Sequence, residues 1–193
     1  MSTQPVATYT AAEYLAQERC AETKHEYYAG EIFAMSGASR AHNLIAWALS
    51  TELGKSLNER PCEAYQSDMR VKVDRTGLYT YPDAVVTCDE PRFEDDHVDT
   101  LLNPQAVFEI LSESTEKHDR GKKFDHYRHV ESLQDYVLIS QEEPLVEVYS
   151  RQDDGTWNLS IAKGLDASIM VPAIDVPLRL QALYARVQFD TPS

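Results

Sequence analysis

The chain has 193 residues, 42% hydrophobic and 26% charged, which is enough to enclose a sizeable core in one soluble domain spanning 1–193; no apolar run is long enough for a membrane span. Its 32 acidic residues against 18 Lys and Arg give a formal net charge of −14, which excludes a protein that coats nucleic acid through a broad basic surface, so any contact with a polyanion has to be local. No basic segment followed by an apolar run opens the chain, so it reads as cytoplasmic, and its three widely spaced cysteines, Cys20, Cys62 and Cys88, read as reduced core thiols.

Thr10 and Glu13 have capping-box spacing, and Tyr14 and Leu15 then supply an apolar face, which predicts a helix over 11–20. "HEYYAGEIFAM" predicts two short strands turning at Ala29 and Gly30. Beyond "SGAS", Leu44, Ile45, Ala48, Leu49 and Leu53 recur at helical spacing and predict a long helix from Arg40 to Asn58. In "CEAYQSDMRVKVD", Met69, Val71 and Val73 alternate with charged residues as in a half-buried strand, and after a turn at Gly77 "YPDAVVTCD" reads as a buried one. "DEPRFEDDHVDTLLNP" is a solvated acidic loop, "QAVFEILS" a second apolar strand, and "STEKHDRGKKFDHYRHV" is helical in period. "QDYVLISQ", "LVEVYSR" and "TWNLSIAK" are further strands, and the tail from Asp175 adds a short helix around Gln181 to Val187. This alternation describes one α/β domain with a mixed sheet.

Two of the apolar strands each hold one acid: Asp83, directly after Pro82, and Glu109, 26 positions later. An isolated ionised carboxylate in a core costs several kcal/mol or takes up a proton, so each acid is expected to face a wet cleft, a cation or a partner. On neighbouring strands the two would make a hard-oxygen site suited to magnesium or manganese, which bind few protein ligands and keep waters for chemistry. The structural alternatives are Asp83 satisfying turn amides and Glu109 paired with an arginine such as Arg120. In "DRGKK", Lys123 shares a helix face with Asp119 and Tyr127 and lies beside Phe124, whereas Lys122 aligns with His126 on a more polar side. Lys123 is therefore the lysine expected to reach back to the acids, with an exposed pair to Asp119 as its alternative. His118, His126 and His129 lack a zinc-binding pattern, and "HDRGKKFDHYRH" also reads as a basic and aromatic patch able to touch phosphate.

"YPDAVVTCD" followed by "VFEILSEST" resembles the PD-(D/E)XK nuclease superfamily, in which Pro-Asp begins one strand and an acid, one residue and a lysine lie on the next. The wider ordered set, "SDMRVKV", "YPDAVVTCD", "FEILSEST", "DRGKKFDHYR", "SLQDYVLISQ" and "VEVYSR", resembles the Uma-two family of bacterial restriction-endonuclease-like proteins over roughly residues 8 to 187. The resemblance implies a restriction-endonuclease-like α/β core, a mixed central sheet flanked by helices, extended by an N-terminal helix and C-terminal strands. It implies an endonuclease dependent on Mg2+ or Mn2+ that acts on nucleic acid, DNA by preference, and is compatible with a homodimer. Asp83 and Glu109 become metal ligands, with the backbone carbonyl of Ile110 as a third. Leu111 stands where the superfamily motif has its lysine, and the Uma-two pattern places that lysine on the following helix, at Lys123. The same pattern includes Glu31, as a further ligand or a positioner of water, and His42, as a phosphate contact or proton carrier. Leu111 and the acidic charge leave open a nuclease-like scaffold that binds nucleic acid or protein without cutting. A homodimeric structural protein joined through "LVEVYSR" and "TWNLSIAK" is the third reading.

Overall fold

The computed structural model describes residues 8–112 and 115–189. Helix α1 (Ala11–Glu18) opens on the predicted capping box, with the Thr10 hydroxyl accepting from Glu13 N–H and the Glu13 carboxylate accepting from Thr10 N–H at 2.8 Å. It buries Tyr14 and Leu15 against Tyr27 and Tyr79. Strands β1 (His25–Tyr28) and β2 (Glu31–Ala34) form the expected hairpin. Its two-residue turn has positive φ at both Ala29 (51°) and Gly30 (90°), the backbone that matches the twist of paired strands. Helix α2 (Arg40–Leu57) is capped by Ser39 and buries Ile45, Leu49, Leu53 and Leu57 along one stripe.

"CEAYQSDMRVKVD" forms two strands in different sheets, β3 (Glu63–Gln66) and β4 (Arg70–Val73), divided by a turn at Met69. Arg70, a charged position in the predicted half-buried strand, is itself buried, because Asp99, Thr100 and the Tyr81 hydroxyl surround its guanidinium. The chain continues through β5 (Leu78–Thr80), β6 (Ala84–Thr87), the two-residue β7 (Thr100–Leu101) inside the acidic stretch, and β8 (Ala106–Leu111). Next comes a helical segment: α3 (Glu116–His118), a π-helical turn over Asp119–Lys123, and α4 (Phe124–Tyr127). Strands β9 (Asp135–Ser140), β10 (Leu145–Arg151) and β11 (Trp157–Lys163) follow as expected. A hairpin of β12 (Ser168–Val171) and β13 (Val176–Arg179) then leads into α5 (Leu180–Leu183).

Apart from the β12–β13 hairpin, which is a sheet of its own, the strands divide between two mixed sheets. A six-stranded sheet runs β11-β10-β9-β8-β6-β3, with β8 and β9 parallel, and a five-stranded sheet runs β2-β1-β5-β4-β7, with β4 and β7 parallel. The central strands of the larger sheet, β6, β8 and β9, are buried on both faces, while its edge strands β3 and β11 are largely exposed. Phe108, Ile110, Val137 and Ile139 pack with α2, α5 and the β12–β13 hairpin, while Val85, Val107, Leu111, Tyr136 and Leu138 pack with Val71 and Val73 of the smaller sheet and with Tyr127. That double burial explains why β8 and β9 read as continuous apolar runs. Among the described residues no helix is long and apolar enough to cross a membrane.

The expectation of reduced core thiols is corrected. Cys62 and Cys88 form a disulfide, and Cys20 is exposed. The β3–β6 register pairs Glu63 with Thr87, so Cys62 and Cys88 are the next residues outward on adjacent strands. Their separation of 26 positions in sequence concealed this adjacency.

Candidate active site

The site lies where the two sheets and the helical segment meet. The antiparallel pairing of β6 with β8 ends at Ala84↔Phe108, and the residues next beyond that pair are Asp83 and Glu109. Pro82 has no N–H to add to a ladder, and after it Asp83 N–H donates to the Phe108 carbonyl at 3.1 Å. The Asp83 carboxylate then bridges two elements. Its Oδ2 accepts from Ile110 N–H at 2.7 Å, and its Oδ1 lies 2.8 Å from His42 Nε2 in the first turn of α2.

Glu109, 4% exposed, lies on the face of β8 turned towards the helical segment. Lys123, 5% exposed, closes the π-helical turn and places Nζ 2.8 Å from Glu109 Oε1. The Tyr127 hydroxyl donates to the same oxygen at 3.3 Å. Lys123 also lies 3.8 Å from Asp119 Oδ1 and 3.5 Å from Glu26 Oε1, the latter contributed by β1 of the smaller sheet. The Thr80 hydroxyl donates to Glu26, and the Tyr136 hydroxyl donates to the Asp119 backbone carbonyl, so the ring of groups around the lysine is anchored from three directions. Interruptions of helical hydrogen bonding of this kind recur at functional sites, and here the turn carries both Asp119 and Lys123.

Three carboxylates, Glu26, Glu109 and Asp119, thus surround one ammonium, and Asp83 adds a fourth negative group beside Glu109. Burial pushes the Glu109 carboxyl well above its ordinary range, and the Asp119 and Asp83 carboxylates push it further, against the pull of Lys123. Burial also raises Asp83, opposed by the Ile110 amide and by His42. For Lys123 burial acts to lower the pKa, but Glu109, Glu26 and Asp119 outweigh it and hold the ammonium charged above its ordinary range. Net negative charge in a poorly solvated cluster is what a bound divalent cation offsets. Among the described residues no three His, Cys, Asp or Glu side chains are arranged to hold a metal ion. The donors on offer are Asp83, Glu109 and the Ile110 carbonyl, which extended backbone turns to the same side as the Ile110 N–H bonded to Asp83. Such a sparse all-oxygen set fits magnesium or manganese, which retain waters, and does not fit zinc.

Asp83, Glu109, Lys123, His42 and Ile110 therefore come together. Glu31 does not join them: it is exposed at the start of β2, opposite Tyr28. Lys122 is exposed, and Arg120 pairs with Glu116 and Glu147 rather than with Glu109. Glu26 is the participant that sequence reasoning missed. Its only local signal is strand alternation, which puts it on the opposite face from Tyr27, and nothing local reveals that this face meets Lys123. Asp119 and Tyr127 carried a signal, their helical spacing from Lys123.

Residues 11–181 match the model of the Uma2 family, described as "Putative restriction endonuclease". Two proteins of Synechocystis sp., slr1290 and sll1609, both described as uncharacterized, are 40% identical over 153 residues and 39% identical over 160. The alignments cover 79% and 83% of this chain and 80% and 90% of those proteins. A crystal structure from Anabaena variabilis, described as a putative nuclease belonging to DUF820, superposes with a TM-score of 0.74 at 21% identity, covering 93% of this chain and 99% of its own. That likeness bears on the fold.

Proposed function

The chain belongs to the Uma2 family and has a nuclease-like fold, and we propose that it is a metal-dependent endonuclease that hydrolyses phosphodiester bonds of nucleic acid, DNA by preference. The observation that carries this reading is the meeting of Asp83 and Glu109 just beyond the last β6–β8 pair, with the Lys123 ammonium 2.8 Å from Glu109. Asp83, Glu109 and the Ile110 carbonyl are the groups that would hold Mg2+ or Mn2+. When bound, such an ion supplies Lewis acidity towards a phosphoryl oxygen.

The chain's own residues supply the rest. In the hydrolysis, the oxygen of a water bonds to phosphorus as the water gives up one proton, an ester P–O bond breaks, and the departing oxygen takes a proton. Lys123, fixed by three carboxylates in a site of low dielectric, faces the negative charge that grows on the phosphoryl oxygens without having to reorganise. His42 Nε2 can exchange a proton beside Asp83 Oδ1, and the Ile110 amide keeps that carboxylate in place.

A second reading rests on one specific observation. Leu111, at the motif's lysine position, is buried in the core, so a scaffold that binds without cutting is its natural competitor. One experiment separates them: cleavage of labelled single-stranded, duplex and branched DNA in magnesium or manganese, alongside calorimetric titration of the same ions into wild type and Asp83→Ala. The endonuclease reading expects cleavage that needs the ion, loss of both ion binding and cleavage in Asp83→Ala, and a fall of about 10²- to 10³-fold in kcat for Lys123→Met. Ion binding without cleavage of any substrate would favour the scaffold.

A further inference from the structure

The hairpin that supplies Glu26 carries two exposed aromatic rings. Tyr28 is 39% exposed and Phe33 is 46% exposed. The β1–β2 register pairs Glu26 with Phe33 and Tyr28 with Glu31, and cross-strand partners share a face. All four side chains therefore lie on the face that reaches Lys123 through Glu26. Phe33 is directly across from Glu26, so its ring begins about 5 Å from a residue of the Lys123 cluster. At the neighbouring position the Tyr28 ring meets His126 of α4 edge-on, with centroids 4.6 Å apart, and exposed Lys122 lies in the turn just before.

The charge on this face decides what it accepts. Glu26 and Glu31 stand between and beside the rings and repel a phosphate backbone, whereas an aromatic ring offers a stacking surface to any base. In a duplex the base faces are occupied by their neighbours, so these rings are useful only to a strand whose bases are unpaired or turned out. We propose that Tyr28 and Phe33 form a base-stacking platform at the mouth of the site, which makes the preferred substrate single-stranded nucleic acid or an unpaired segment such as a flap, loop or branch. The platform rests on the endonuclease reading for its position beside the scissile phosphate, while its binding role is independent of cleavage.

The test is fluorescence anisotropy of a labelled oligothymidine and of a duplex of equal length, with the wild type, Tyr28→Ala, Phe33→Ala and Phe33→Trp, in a chelator that suppresses metal-dependent cleavage. Both rings are exposed, so the variants should keep the wild-type melting temperature, which circular dichroism checks. The single strand should bind more tightly than the duplex, and each alanine variant should weaken it roughly 5- to 100-fold, the range of one base-stacking contact, with Phe33→Trp restoring it. Unchanged single-strand binding in both alanine variants, equal loss for strand and duplex, or no binding of either oligonucleotide by the wild type would each overturn the platform. A concentration-dependent mass lost in Phe33→Ala would assign the rings to contact between copies of the chain and overturn it equally. Cleavage assays in manganese keep the two readings apart: ion-dependent cleavage with strand binding that is indifferent to Tyr28 and Phe33 refutes the platform alone, and ring-dependent strand binding without any cleavage refutes the nuclease alone.

Discussion

Lys123→Met removes the ammonium 2.8 Å from Glu109 and leaves a buried carboxylate with Asp119 and Asp83 as its charged neighbours. Breaking a buried pair from one side costs about 3–5 kcal/mol, because the surviving charge stays desolvated and uncompensated. For a chain of this length, that is a fall of roughly 6–20 °C in melting temperature. Glu109→Gln/Lys123→Met removes both charges while keeping the shape and a partner for the Tyr127 hydroxyl, so it should recover most of the loss. The pH dependence has a definite sign. The folded-state pKa of Glu109 is already raised above the ordinary 4.5, and losing Lys123 raises it further. The folded variant therefore binds more protons than the unfolded chain above pH 4.5, and its stability falls as pH rises through that window. Below it Glu109 is protonated in both states, and the deficit against wild type shrinks. Urea melts by circular dichroism at neutral and acidic pH measure both effects. A single variant within about 1 kcal/mol of wild type at pH 7 and no less stable than the double would refute the claim that this pair is a desolvated, mutually dependent unit.

The Cys62–Cys88 bridge closes a loop of 26 positions, so reduction, or Cys62→Ser/Cys88→Ser, should lower stability by about 3 kcal/mol in a thermal melt with and without reductant, and identical melts would show that the bridge does not persist in solution. Arg19 Nε, 2.8 Å from Asp99, is the main cause holding that carboxyl well below its ordinary 3.8. Stability from this pair is therefore present above that value and lost as pH falls through the depressed one; Arg19→Ala should be destabilised by about 1 kcal/mol at neutral pH, and an acid titration of both proteins should show the gap closing. Gly30→Ala should lose about 1–2 kcal/mol in urea titration, since φ is 90° there and an added Cβ would sit 3.2 Å from the Thr8 side chain; an unchanged midpoint would mean that the turn relaxes freely.

Sequence by itself determined whatever depends on neighbours a few residues away. The capping box at Thr10 and Glu13, the hairpin at Ala29 and Gly30, the apolar stripe of α2 and the runs of β8 to β11 all follow from spacing, because caps, turns and periodicity are local. Asp83 and Glu109 stood out because a carboxylate among β-branched and aromatic residues needs a compensating partner, and Lys123 was separated from Lys122 by helical phase alone. The rest depended on register and on how the layers close. Strand pairing between distant segments leaves no mark in either segment, so the division of the strands into separate sheets and the adjacency of Cys62 to Cys88 became visible only with the tertiary structure. The entry of Glu26 and the exclusion of Glu31 were settled the same way. Both glutamates lie on one face of one hairpin, and only the packing of that face against the turn carrying Lys123 brings the first into the charged cluster and leaves the second in water.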